Sequence, residues 1–192
     1  MIHDLGLLAA RLAFGLSFAS YGTQKAFGWF DGLGPQGTAK VFEGYGHKPG
    51  ERFVAPAAAT EIGAGLAIAL GLGGPAGPAG AISQMFIAQA AHAKNGYYAS
   101  KHGVELSVLY ASGALALASS GYGKLSLDRA FGLDEKLHKP AFTALAVAGG
   151  LAAAWLILAQ RDLTPPDGTM ATPTIAGSRN GAVSSTPQPA TN

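Results

Sequence analysis

Cysteine is absent from the 192 residues, which excludes disulfides, thiolate metal sites and thiol redox chemistry carried by this chain itself. Charge is scarce: Asp, Glu, Lys and Arg make up 12%, about half the share of an ordinary soluble domain. The net charge is only +2 and no basic run is long enough to follow a phosphate backbone, so nucleic acid is not an expected partner. Strand-type alternation is missing along the whole chain. The first residues lack the marks of a cleaved leader. They have no basic n-region, Arg11 interrupts the apolar stretch, and no clear small-x-small site follows. They read as a retained membrane helix.

What is present is apolar and small. Hydrophobic residues reach 48% with 28 Gly besides, a composition suited to helices packed closely in lipid. Against the ~20 residues that cross a bilayer as helix, five segments stand out: Leu5 to Phe27, Phe53 to Leu72, Ala76 to Lys94, Glu105 to Ser120, and Ala141 to Ala159. The fourth is short, and Gly149-Gly150 interrupts the fifth. The expected fold is an all-α polytopic membrane bundle over residues 1–160, a four-helix core plus a fifth C-terminal transmembrane helix. The turn 71-GLGGPAGP-78 permits only an antiparallel hairpin, and the Gly28 to Arg52 connection holds a short helical piece around Gly37 to Tyr45. Residues 161–192 are rich in Pro, Thr, Ser and Gly and read as a disordered tail.

Counting Lys and Arg gives an orientation. Five spans collect Lys25, Lys40, Lys48, Arg52, Lys94, Lys101, Arg161 and Arg179 on one side, and Lys124, Arg129, Lys136 and Lys139 on the other. The first side is expected in the cytoplasm of a bacterial-type inner membrane.

Helix direction then gathers polar residues at that side. Tyr21, Gln24 and Lys25 end the first helix, and Glu61 lies ~12 Å in along the second at 1.5 Å per residue. Gln89 and His92 share a face of the third, Asn95 lies just beyond it, and Glu105 opens the fourth. An ionised side chain within a span costs ~3 kcal/mol and so faces the bundle interior with a partner. For Glu61 three states stay open: a pair with Arg11, which enters from the opposite face, a pair with His92, or protonation. Arg11 and Glu105 are read as structural polar residues, Glu105 as a helix-end cap. Trp29 and Phe30 read as interfacial anchors.

The run 11-RLAFGLSFASYGTQKAFGWFDGLGPQGTAKVFEGYG-46 closely resembles the opening of the DoxX family of small membrane proteins. The later runs 61-EIGAGLAIALGL-72, 92-HAKNGYY-98 and 126-SLD-128 follow in that family's order, so the resemblance covers about residues 5 to 132. It implies a four-helix membrane bundle, with the fifth segment an extension. It further implies a subunit or partner of a membrane-associated oxidoreductase complex, quinone-linked or involved in thiol stress. One departure is Tyr21, where the family has His before Gly-x-Gln-Lys.

Three functions draw on the same polar end. The first is an oxidoreductase subunit with a quinone site. There Tyr21, Gln24, Lys25, Gln89 and Asn95 serve binding, and Glu61 and His92 handle protons. No covalent cofactor is expected. Partners would be lipid, a soluble or membrane redox enzyme, and other copies of the chain. The second is transport or binding of a small solute, and the third is a non-catalytic scaffold.

Overall fold

The computed structural model describes residues 1–164, and among these all regular structure is helical. Eight α-helices run in order: α1 (Ile2–Phe27), α2 (Gly34–Gly44), α3 (Glu51–Leu70), α4 (Ala76–His92), α5 (Glu105–Ser120), α6 (Leu127–Ala130), α7 (Asp134–Leu137) and α8 (Pro140–Leu158). Two 3-10 turns, Ala93–Asn95 and Ala99–Lys101, join α4 to α5. The five apolar segments are thus α1, α3, α4, α5 and α8, with boundaries within a few residues of those expected.

Glycine and proline set the ends. Gly28 adopts φ 70° after α1 and its N–H donates to the Gln24 carbonyl at 3.2 Å; Gly71 adopts φ 67° after α3. Only glycine takes this left-handed conformation without cost. Glycine also brings the helices together. A Cβ at Gly15 would run into the Gly65 carbonyl, and one at Gly22 would sit 2.7 Å from the Ala58 carbonyl, so α1 and α3 touch backbone to backbone. Gly150 is explained in the same way: a Cβ there would lie 2.5 Å from the Ala79 carbonyl. The Gly-Gly pair that interrupts the fifth segment in sequence is therefore where α8 seats on α4, and α8 is continuous through it.

Helix α4 is central, packed on α3, α5 and α8, while α1 covers α3. Phe18, Ile68, Ile82, Met85, Ala114 and Leu117 form the core where α1, α3, α4 and α5 meet. Three helices, α1, α3 and α8, are long and apolar enough to cross a membrane. Helices α4 and α5 have 17 and 16 residues, so they reach ~26 and ~24 Å against a hydrocarbon core of ~30 Å. Only 6% of the apolar window of α8 is buried, and Leu145, Trp155 and Leu156 point outward. Such a surface is suited to lipid contact.

Contacts between connections define two ends. The start of α1, the 71–75 turn and the 121–139 segment meet at one: the Lys124 N–H donates to Asp4 at 3.1 Å and the Asp128 N–H to Gly71 at 2.9 Å. The 28–50 connection, the 93–104 loop and residues 161–164 belong to the other. There the Arg161 Nε donates to the Tyr45 carbonyl at 2.7 Å, and the Asp162 N–H to the Gly46 carbonyl at 2.7 Å. Of the expected tail, residues 161–164 strap onto this turn; 165–192 lie outside the described residues.

Candidate functional site

Lys25 sits in the last turn of α1 and Glu61 midway along α3, on facing sides of the close α1–α3 contact. The Lys25 Nζ donates to Glu61 Oε2 at 2.7 Å and Oε1 at 2.9 Å, and lies 3.4 Å from the Tyr21 carbonyl and 5.9 Å from the Tyr21 ring centroid. The Glu61 side chain is 5% exposed and that of Lys25 24%. A carboxylate this deep needs a partner, and Lys25 supplies it. The Tyr21 ring stands edge-on to Tyr110 of α5 at 5.8 Å, which ties the pair to the bundle core.

Neither of the two partners expected for Glu61 is the one found. Arg11 is at the other end of the bundle, and His92 faces elsewhere: its ring packs edge-on against Tyr45 at 5.6 Å, and its buried Nδ1 has no hydrogen-bond partner among the described residues. Axial depth alone separates Lys25 from Glu61, but a lysine stem folds back along apolar surface and delivers its charge well away from its own Cα.

The remaining predicted residues reach the same end without sharing one cavity. Gln89 lines a 390 Å³ groove with Phe86, Ala90, Ala93, Tyr97 and Val104, between the last turns of α4 and the start of α5. Asn95 donates from Nδ2 to the His102 carbonyl at 3.0 Å, and Glu105 accepts the Ala99 N–H at 2.8 Å, so both shape the 93–104 loop. Gln24 is the floor of the turn: Gly32 rests on its backbone, where a Cβ would come 2.6 Å from the Gln24 Cα. Phe30 and Asp31 take φ 54° and 59°, a left-handed pair that closes the turn and leaves Trp29 and Phe30 exposed. Below them His47 is buried between Phe42 and Phe53. Burial, with the nearby Arg161 cation second, holds its imidazole below the usual histidine range.

The opposite end holds a second buried cluster, in which Arg11, expected as a structural polar residue, is joined by Asp128 and Tyr122. Arg11 and Asp128 are both 0% exposed. Asp128 accepts the Gly73 and Gly74 N–H groups at 2.9 and 2.7 Å, and His138 Nε2 lies 3.6 Å from it. Arg11 donates from Nη2 to the Leu125 carbonyl at 2.6 Å and stacks 5.5 Å from the Tyr122 ring centroid. The Tyr122 hydroxyl has no partner among the described residues; burial, then the Asp128 charge, pushes its pKa above the ordinary tyrosine value. Asp128 follows Ser126, whose Oγ accepts the Arg129 N–H at 3.3 Å as an N-cap. The Ser-x-Asp-Arg spacing was the available signal: it marks a helix start whose acid is free to turn inward.

A bundle of apolar helices with charge buried at both ends defines a helical membrane protein. The DoxX family model matches residues 6–93, from α1 to just past the end of α4, which supports membership of the DoxX family. No curated protein and no solved structure matches the chain. The matched segment contains Arg11, Lys25, Glu61 and Gln89, while Tyr122 and Asp128 lie beyond it.

Proposed function

We propose that this protein is the membrane subunit of an oxidoreductase complex, quinone-linked or serving thiol stress, and that the Lys25 end binds quinone. The supporting observation is the groove of α4 and α5, where the Gln89 amide stands among Phe86, Tyr97 and Val104. This is the donor-plus-apolar chemistry that a flat ring with two carbonyls requires. Gln89 donates to a carbonyl, while Phe86 and Tyr97 flank the ring.

Reduction of a quinone to a quinol takes two electrons and two protons. The chain has no cysteine, and the electrons come from a partner dehydrogenase, soluble or membrane-bound. Glu61 is the group for the protons. Its carboxylate is held by a lysine that is 24% exposed, so the pair can open toward water and exchange a proton at the same end of the bundle as the groove. The membrane is the bacterial-type cytoplasmic one. Lys40, Lys48, Arg52, Lys94 and Lys101 lie at the Lys25 end, outnumbering Lys124, Arg129, Lys136 and Lys139 at the other, and that end faces the cytoplasm.

The test is direct. Protein purified in mild detergent is titrated with a short-chain quinone, read through quenching of Trp29 and Trp155 and compared with Gln89→Leu. Saturable quenching that Gln89→Leu weakens about tenfold, roughly one lost hydrogen bond, is expected. Equal, non-saturating quenching in both proteins would leave the scaffold reading in its place.

A further inference from the structure

The redox reading makes no use of the Arg11 end, where a second groove of 410 Å³ opens between α1, the end of α3 and residues 124–127. Its walls are Leu8, Leu12, Leu70, Leu125 and Leu127, and its cations are Arg11 and Lys124. We propose that this groove is a binding site for an anionic phospholipid, with the phosphate against Lys124 and Arg11 and an acyl chain along Leu8, Leu12 and Leu70.

Arg11 carries the argument. It is 0% exposed, yet among the described residues its Nε and Nη1 have no hydrogen-bond partner. Among the described residues no carboxylate oxygen lies within 4.0 Å of the guanidinium. A buried guanidinium with spare donors is costly unless an anion meets it. The neighbouring acids are already engaged. Asp128 is held by the Gly73 and Gly74 N–H groups. Asp4 is held by the Lys124 N–H and, at 3.5 Å, by the terminal ammonium. Nearby Tyr122 also has an unpartnered hydroxyl, a donor that an anion's oxygen can use.

Position and shape point to lipid rather than a free ion. The groove lies where α3 ends, beside the second and third turns of α1, close to the level at which spanning helices meet the phosphates of a bilayer. Its outer lip includes two exposed side chains, Leu125 at 46% and Lys124, which can swing aside to admit a phosphate. Leu12 at 41% and Leu70 at 50% exposure continue the apolar wall away from the cations. A phosphate alone gains nothing from that wall; an acyl chain does.

Native mass spectrometry after equilibration with phosphatidylglycerol or phosphatidylcholine tests the site, with inorganic phosphate as competitor. Wild type should retain one phosphatidylglycerol in clear preference to phosphatidylcholine. Lys124→Gln should cut that preference about fivefold, the contribution of one interfacial cation. Leu12→Trp should abolish retention by filling the groove. Both changes are at exposed positions, and melting temperatures near wild type would show that the fold is intact. Equal retention of the two lipids, equal phosphatidylglycerol retention in wild type and both variants, or displacement by millimolar phosphate would each overturn the proposal. None of these outcomes depends on quinone binding at the other end.

Discussion

At the Lys25 end a carboxylate that is 5% exposed meets its cation directly at 2.7 Å, and the cation keeps 24% of its side-chain surface. At the Arg11 end the cation and the acid are both 0% exposed, and each is served mainly by backbone: Asp128 by two N–H groups, Arg11 by a carbonyl. The difference is one of access. A pair with a partly exposed lysine can open and exchange a proton with water. A sealed acid that ties the α4 start to the 121–139 segment can only hold. The comparison assigns work to one end and anchorage to the other.

The largest effect should come from the anchor. Asp128→Ala strips the part-buried Gly73 and the buried Gly74 N–H groups of their acceptor and should cost ~2–5 kcal/mol at ~1–3 for each unmet donor, seen as a collapse of melting temperature or yield. Asp128→Asn, which keeps an acceptor, should lose less. Wild-type melting of the alanine variant would erase the distinction between the ends.

Next in size is an asymmetry within the Lys25 end. Lys25→Met leaves Glu61 buried without its cation and should cost ~1–3 kcal/mol. Glu61→Gln leaves a lysine that can turn to the interface, so its cost should stay under ~1 kcal/mol. Equal losses would make this pair a second anchor.

A smaller effect concerns pH. The folded state holds His47 with a lowered pKa, so the unfolded chain binds more protons between that value and the ordinary one of ~6.5. Its contribution to stability is complete above ~6.5 and drains away as pH falls below it. The melting temperature should therefore decline on acidification, and His47→Phe should flatten that decline. An unchanged pH profile in the variant would remove His47 from the account.

The smallest effect is expected at Lys48, whose pair with Asp162 spans 3.4 Å with side chains 41% and 51% exposed. Exposed pairs of this kind contribute little, although Asp162 is itself held down at about 2, chiefly by Thr164 and then by Lys48. Lys48→Ala should melt with wild type. A clear drop would mean that the 161–164 strap depends on this contact.

Much of the fold was legible because bilayer thickness and helix rise convert apolar runs into helices directly. Segment ends were clear where Gly28, Gly71 and the Gly-Pro turn forced them. Residues Glu61, Lys25 and Gln89 were recognisable as belonging to one end for the same reason. Their pairing was not. Which acid meets which cation depends on the rotation of α1 against α3 and on where a long lysine stem folds, and neither follows from distance along an axis. Asp128 escaped because it sits in a short polar connection, where an acid reads as solvated. Only the return of the 121–139 segment over Gly73 and Gly74 turns it inward.

The most direct test of this division of labour is the rate at which dithionite reduces bound short-chain quinone, followed by stopped flow in wild type and Glu61→Gln. If Glu61 passes the protons, the variant should be slower by about a hundredfold, the usual scale of a lost acid–base group, with its melting temperature near wild type. Reduction at the wild-type rate in a stably folded Glu61→Gln protein would contradict the account.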